Sequence, residues 1–181
     1  NRIFGGHIFP IVGKEVEGYA PDGTLFGSVS GVLVRDIPSV IKKHYTAPAS
    51  VMSIGDYAAR NYTLMRLALQ HRDVTLWATA NPSTILELMR TVDEFADRLI
   101  TDIEQGTLDA DFDIPQPIRT ELEAYMSPRP ERADELRQIR QQRGKLLPKH
   151  YWPWLQYLST WKCGNTKIYM EKKEMNFLLD S

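Results

Sequence analysis

Residues 51–90 read VMSIGDYAARNYTLMRLALQHRDVTLWATANPSTILELMR, and the spacing of their apolar side chains decides the fold. The first four, residues 51–54, read as a short extended segment. Gly55 and Asp56 stop it, and Asp56 suits a helix N-cap because its carboxylate accepts from a backbone N–H that has no helical partner. Beyond it Ala58, Tyr62, Met65 and Leu69 recur at intervals of 4, 3 and 4, one face of a helix. DVTLWATA, residues 73–80, is a compact apolar run suited to a strand covered on both faces. Asn81 and Pro82 open a second helix, Asn81 as cap and Pro82 in the first turn, where its missing N–H is harmless. Ile85, Leu88, Met89, Val92, Phe95, Ala96, Leu99, Ile100 and Ile103 then form one apolar stripe. That stripe predicts a single long helix ending at Gly106.

The flanks extend the same rhythm. Residues 1–45 read as β-rich, with Pro21-Asp22-Gly23 as a turn between extended runs and Val29, Val32 and Val34 continuing the pattern. PQPIRTELEAYM and PRPERADELRQIRQQRGK predict two shorter helices separated by Pro128 and Pro130, and residues 155–161 return to strand character. A further helix is expected to start near Asn165. Strands alternating with helices predict an α/β fold, a mostly parallel sheet with crossover helices plus the β-rich N-terminal segment. The chain reads as one partial domain, residues 1–181. It divides into the β-rich segment 1–45, a strand–helix–strand–helix unit 46–110, and helices, a strand and a loop over 111–181. It begins mid-pattern at Asn1, so it is expected to be part of a longer protein.

Composition excludes several functions. With 43% hydrophobic and 25% charged residues and a net charge of −1, the chain has no basic excess for nucleic acid. No apolar run reaches the roughly 18 residues of a membrane helix. The single Cys163 forms no internal disulfide and fits a reducing, cytoplasmic compartment. His7, His44, His71 and His150 stand far apart in sequence, with no second ligand at metal-binding spacing, so no metal site is expected. Cys163 has no neighbouring His to act as a base and reads as a small buried residue. Glu131, Asp134 and Glu135 precede Arg137, Arg140 and Arg143, the order that complements a helix dipole, so this segment reads as a solvated helix face. The aromatics of HYWPWLQY read as core. Gly164-Asn165-Thr166, after the last strand, is either a plain helix cap or a phosphate-side turn.

Several stretches together go further. APASVMSIGDYAARNYTLMRLALQHRDVTLWATANPSTILELMRTVDEFADRLITDIEQGTL resembles the auxin-responsive acyl acid amido synthetase family, specifically its bacterial members. An Ala-Pro extended stretch leads there to an Asp and a helix, then a strand, a second helix and an I-x-x-G-T-L ending, matched by Ile103 to Leu108. RIFGGHIFPIVGKEVEGYAPDGTLFGSVSG and SPRPERADELRQI with KLLPKHYWPWLQYLSTWKCGN resemble the family's flanking segments.

The resemblance implies the large N-terminal domain of an adenylate-forming ligase. Such an enzyme activates a small carboxylic acid with ATP and Mg²⁺ and conjugates it to an amino acid. It further implies that Val51, Met52 and Ser53 line the acyl pocket and that Gly164, Asn165 and Thr166 form a nucleotide-side loop. The family's Ser/Thr/Gly-rich phosphate loop would precede Asn1, and its Ser-Glu motif would follow downstream. Neither stands in this sequence, so the chain alone is expected neither to hold ATP and Mg²⁺ nor to catalyse. A related ligase with a thiol acceptor such as coenzyme A, and a non-catalytic interaction module that kept the fold, are the alternatives. Self-association of the isolated segment is expected from an exposed half-sheet.

Overall fold

The computed structural model describes residues 5–13, 18–28 and 37–160. The chain enters through strand β1 (His7–Ile11) and a small antiparallel hairpin of β2 (Gly18–Tyr19) and β3 (Leu25–Phe26). The hairpin turns where Pro21-Asp22-Gly23 predicts: the Thr24 N–H donates to the Asp22 carboxylate at 2.9 Å, and Gly23 sits at φ 82°. A short helix α1 (Ser39–Lys42), a 3-10 turn (Ala49–Ser53) and helix α2 (Tyr57–Leu69) lead to strand β4 (Val74–Thr79). Helices α3 (Pro82–Glu94), α4 (Ala96–Gln105), α5 (Gln116–Glu123), α6 (Pro130–Arg143) and α7 (Pro148–Tyr151) precede strand β5 (Tyr157–Ser159). Among the described residues no helix is long and apolar enough to cross a membrane.

The main sheet has the order β1–β4–β5 with both pairings parallel, as the strand–helix rhythm predicts. β4 is central, which explains its unbroken apolar run. Trp77 pairs in register with Phe9 on one side and Leu158 on the other, so all three point to one face. There Phe9, Trp77 and Trp152 pack with ring centroids 5.4 to 5.5 Å apart. All three are essentially inaccessible to water, each burial being worth about 1.5–3 kcal/mol.

Four expectations are corrected by packing. Residues 51–54 do not form an extended segment. Pro48 starts a 3-10 turn in which the Val51 N–H bonds the Pro48 carbonyl and the Ile54 N–H bonds the Val51 carbonyl, so the backbone is satisfied locally. The helix after Asp56 is not one-faced: burial runs on every side from Asn61 to Leu69, while Ala58 is exposed. Buried Tyr62, Thr63 and Arg66 are paired instead, as when the Thr63 hydroxyl donates to the Ala59 carbonyl at 2.7 Å.

The predicted single long helix is two helices, broken at Phe95 with φ −106° and ψ 21°. The Phe95 ring stands edge-on to Tyr62 and Phe112 at 5.7 and 5.5 Å, and this aromatic cluster outweighs helical regularity at one residue. The apolar stripe itself is retained, with Ile85, Leu88, Val92, Leu99, Ile100 and Ile103 all buried. Of the aromatics expected in the core, Tyr151 and Trp152 are buried, whereas Trp154 and Tyr157 are 51% and 45% exposed. Tyr157 opens β5, an outer strand of the described sheet with a neighbour on one side only, and Trp154 lies in the turn just before it.

Candidate functional site

In an open parallel sheet the strands deliver their carboxyl ends to one edge, and the loops leaving it are where ligands are bound. Here the register places Ile11 opposite Thr79, and Ala78 opposite Ser159, so the three strand ends form one row. α3 begins beside that row. The Asn81 side chain accepts from the Ser83 N–H at 3.0 Å, and the free N–H groups of the first turn give this end of the helix positive character. The Thr160 hydroxyl lies 3.4 Å from the Ala80 carbonyl, tying the chain that leaves β5 to the β4–α3 turn.

The 3-10 turn follows a segment that pairs with β1. Tyr45 bridges Ile8 in parallel, with the Ile8 N–H donating to the His44 carbonyl and the Thr46 N–H to the Ile8 carbonyl. The chain therefore runs alongside β1 towards its carboxyl end before the turn begins. α2 then leads to the amino end of β4. Asp56 caps α2 as predicted, its carboxylate accepting the Ala59 N–H at 2.7 Å.

Of the residues implied to line an acyl pocket, Val51 is fully buried in the core, Met52 is half-buried against it, and Ser53 is exposed. Met52 and Ser53 thus keep accessible surface, while Val51 packs into the core. Gly164, Asn165 and Thr166, like Cys163, lie outside the described residues. The described residues of this edge, Ile11, Thr79, Ala80, Asn81, Ser159 and Thr160, offer hydroxyls, a carboxamide and backbone groups. None of these six is a cationic side chain for a triphosphate or a carboxylate for Mg²⁺, so by themselves they do not fit that pair.

Two features escaped the sequence reading. Arg132, placed on a solvated helix face, is buried: its guanidinium donates to the Leu69 carbonyl at 2.9 Å and the Tyr151 carbonyl at 2.6 Å and pairs with Glu135. It joins the end of α2 to α6 and α7. At the amino edge of the sheet, opposite the row just described, His7, His71 and Asp73 come together. Their sequence spacing conceals this, since His7 opens β1 while His71 and Asp73 immediately precede β4. Only the pairing of those two strands brings them close; His-x-Asp directly before a predicted strand was the available signal.

The family description GH3 family N-terminal domain matches residues 2–178. No match is found among curated proteins. Among solved structures, GH3.15 acyl acid amido synthetase superposes with a TM-score of 0.72 at 17% identity, over 94% of this chain and 30% of that one. AtGH3.15 acyl acid amido synthetase in complex with 2,4-DB gives 0.73 at 18% identity, over 93% of this chain and 30% of its own. At such identities the likeness speaks for the fold. The chain spans under a third of the length of either enzyme.

Proposed function

The chain belongs to the GH3 family, matching its N-terminal domain, and on that premise we propose that it is a segment of an ATP-dependent acyl acid amido synthetase of the bacterial type. The full-length protein, a cytoplasmic ligase, adenylates a small carboxylic acid and conjugates it to an amino acid. A carboxylate oxygen of the acid attacks the α-phosphorus of ATP and pyrophosphate leaves. The amine of the amino acid then attacks the acyl carbon, loses a proton and expels AMP. The family match over residues 2–178 is the observation that carries this reading.

The contribution of this segment is positional. Met52 and Ser53, on a turn whose backbone is internally bonded, form part of the acyl-pocket wall, with Val51 holding the turn to the core. Gly164, Asn165 and Thr166, following β5 in sequence, are assigned to the nucleotide side, where a glycine permits close approach of the backbone to a phosphate. The described edge supplies neither a cation for the triphosphate nor a carboxylate for Mg²⁺. Those groups are therefore assigned to the rest of the protein. A rigid edge that fixes the reacting groups lowers the barrier chiefly by orientation.

Pyrophosphate exchange tests the reading. The full-length protein, given a panel of small carboxylic acids, is expected to exchange labelled pyrophosphate into ATP with at least one of them. Silence across a broad panel would remove the adenylation claim and favour a non-catalytic module that kept the fold. Product analysis with amino acids against coenzyme A distinguishes amide from thioester formation. Replacing Met52 by Ala is expected to change the ratio of kcat/KM between a bulky and a small acid by about 10-fold or more.

A further inference from the structure

At the amino edge of the sheet, away from the proposed acyl and nucleotide side, three side chains are arranged for a different chemistry. His7 begins β1, and its backbone N–H donates to the Asp73 carbonyl at 2.9 Å. The same pairing brings the His7 Nδ1 to 2.8 Å from an Asp73 carboxylate oxygen, 66 residues away in sequence. His71, between α2 and β4, lies with its ring 3.8 Å from that of His7, centroid to centroid. One donor atom from each of His7, His71 and Asp73 lies within 4.8 Å of the other two.

We propose that His7, His71 and Asp73 form a binding site for a divalent transition ion of the zinc class. Two imidazoles and one carboxylate are a recurrent donor set for such ions, leaving a further position for water. Ligand atoms around zinc stand about 3.3 Å apart in a tetrahedron with arms of about 2.05 Å. The 2.8 Å between the His7 Nδ1 and the Asp73 oxygen and the 4.8 Å limit on the whole set bracket that value. A neutral imidazole offers one ring-nitrogen lone pair to an ion. Gln70 approaches the His71 Nε2 only at 3.4 Å, a contact too long to hold that lone pair firmly.

The site opens into a cleft of about 550 Å³, which gives an ion a path of entry. The charged groups lining the cleft set selectivity. Asp73, Glu131 and Glu135 face Arg72, Arg129 and Arg132 there, so the two signs balance, and Glu135 is already paired with Arg72 and Arg132. A hard cation drawn by negative charge gains little in such surroundings. Nitrogen donors instead select zinc, cobalt or nickel over Mg²⁺ and Ca²⁺. The ion would clasp the start of β1 to the start of β4, and this stabilising role is independent of the adenylation reading.

Titrating the metal-free full-length protein with Zn²⁺ by calorimetry is expected to show a site taking one ion per chain, unaffected by excess Mg²⁺. Co²⁺ in its place should give visible ligand-field bands without a thiolate charge-transfer band. In proton spectra Zn²⁺ should shift the ring resonances of His7 and His71 and leave those of His44 and His150 in place. His71→Ala and His7→Ala should each weaken Zn²⁺ binding about 100-fold or more, and His44→Ala and His150→Ala should leave it unchanged. Absence of a one-ion site, binding that survives both alanine variants, or a thiolate band from Cys163 would overturn the proposal. Should the variants fail to fold, the Co²⁺ and proton spectra of the unaltered protein decide it.

Discussion

Asp102 lies within α4 yet is buried, and its surroundings explain why a charge is tolerated there. Its carboxylate accepts from the Tyr62 hydroxyl at 2.7 Å, the Thr107 hydroxyl at 2.7 Å and the Asp109 N–H at 2.8 Å. Asp109 continues the network through Arg98, whose hydrogen bond is the main reason its carboxyl is held below the usual 3.8. The sign follows from that direction. The folded protein releases this proton more readily than the unfolded chain, so the stabilisation is complete above pH 3.8 and is lost as pH falls through the lowered folded value. Asp109→Asn is therefore expected to lower the urea midpoint at pH 7, and the gap from the unaltered protein should shrink as pH falls below 3.8. A gap of constant size over that range would show that the Asp109 charge is not what stabilises. None of this was visible in the sequence. An Asp inside an amphipathic helix reads as solvent-facing, and only the packing of α2 on α4 and the fold of residues 103–112 bring its donors to it. His7 and His71 were hidden for the same reason, their contact being created by strand pairing.

The local signals that were legible belong to helix and turn ends, where one side chain meets one backbone group. Asp56, Asn81 and Gly106 terminate helices where the sequence places them, and Pro21-Asp22-Gly23 turns the hairpin. Periodicity was less complete a guide. It found the apolar stripe of α3 and α4 but not the break at Phe95, because a ring's choice of tertiary partners leaves no mark on spacing. It also read α2 as one-faced, though helices cover this segment all round. Gly106 shows how tightly such an end is built. It closes α4 at φ 74°, and a Cβ there would stand 2.5 Å from the Pro128 nitrogen, just before α6. Left-handed geometry costs an ordinary residue about 1–2 kcal/mol, and the backbone contact adds to it. Gly106→Ala is thus expected to destabilise by more than about 2 kcal/mol in chemical denaturation. A loss below half of that would mean that the segment before α6 yields easily.

At the scale of the whole molecule, the parallel order β1–β4–β5 leaves β5 with a partner on one side only among the described residues. Leu76 and Ala78 on β4 are half-buried, and their register partners Tyr157 and Ser159 are exposed, so one face of the sheet is open along this edge. Trp154, 51% exposed, enlarges the apolar area. An unpaired strand with exposed aromatic side chains is a template for pairing with another chain. The enzymes of similar fold are more than three times as long, since this chain covers 30% of each; in the full-length protein the remaining chain is expected to cover this edge. Expressed alone, the 181-residue segment is therefore expected to self-associate. Sedimentation velocity over a tenfold range of concentration should show its mean size rising. Tyr157→Lys places a charge on the edge strand and should shift the distribution towards monomer, as edge lysines do in natural sheets. A monomer at every concentration would mean that the β5 edge is closed within the segment itself.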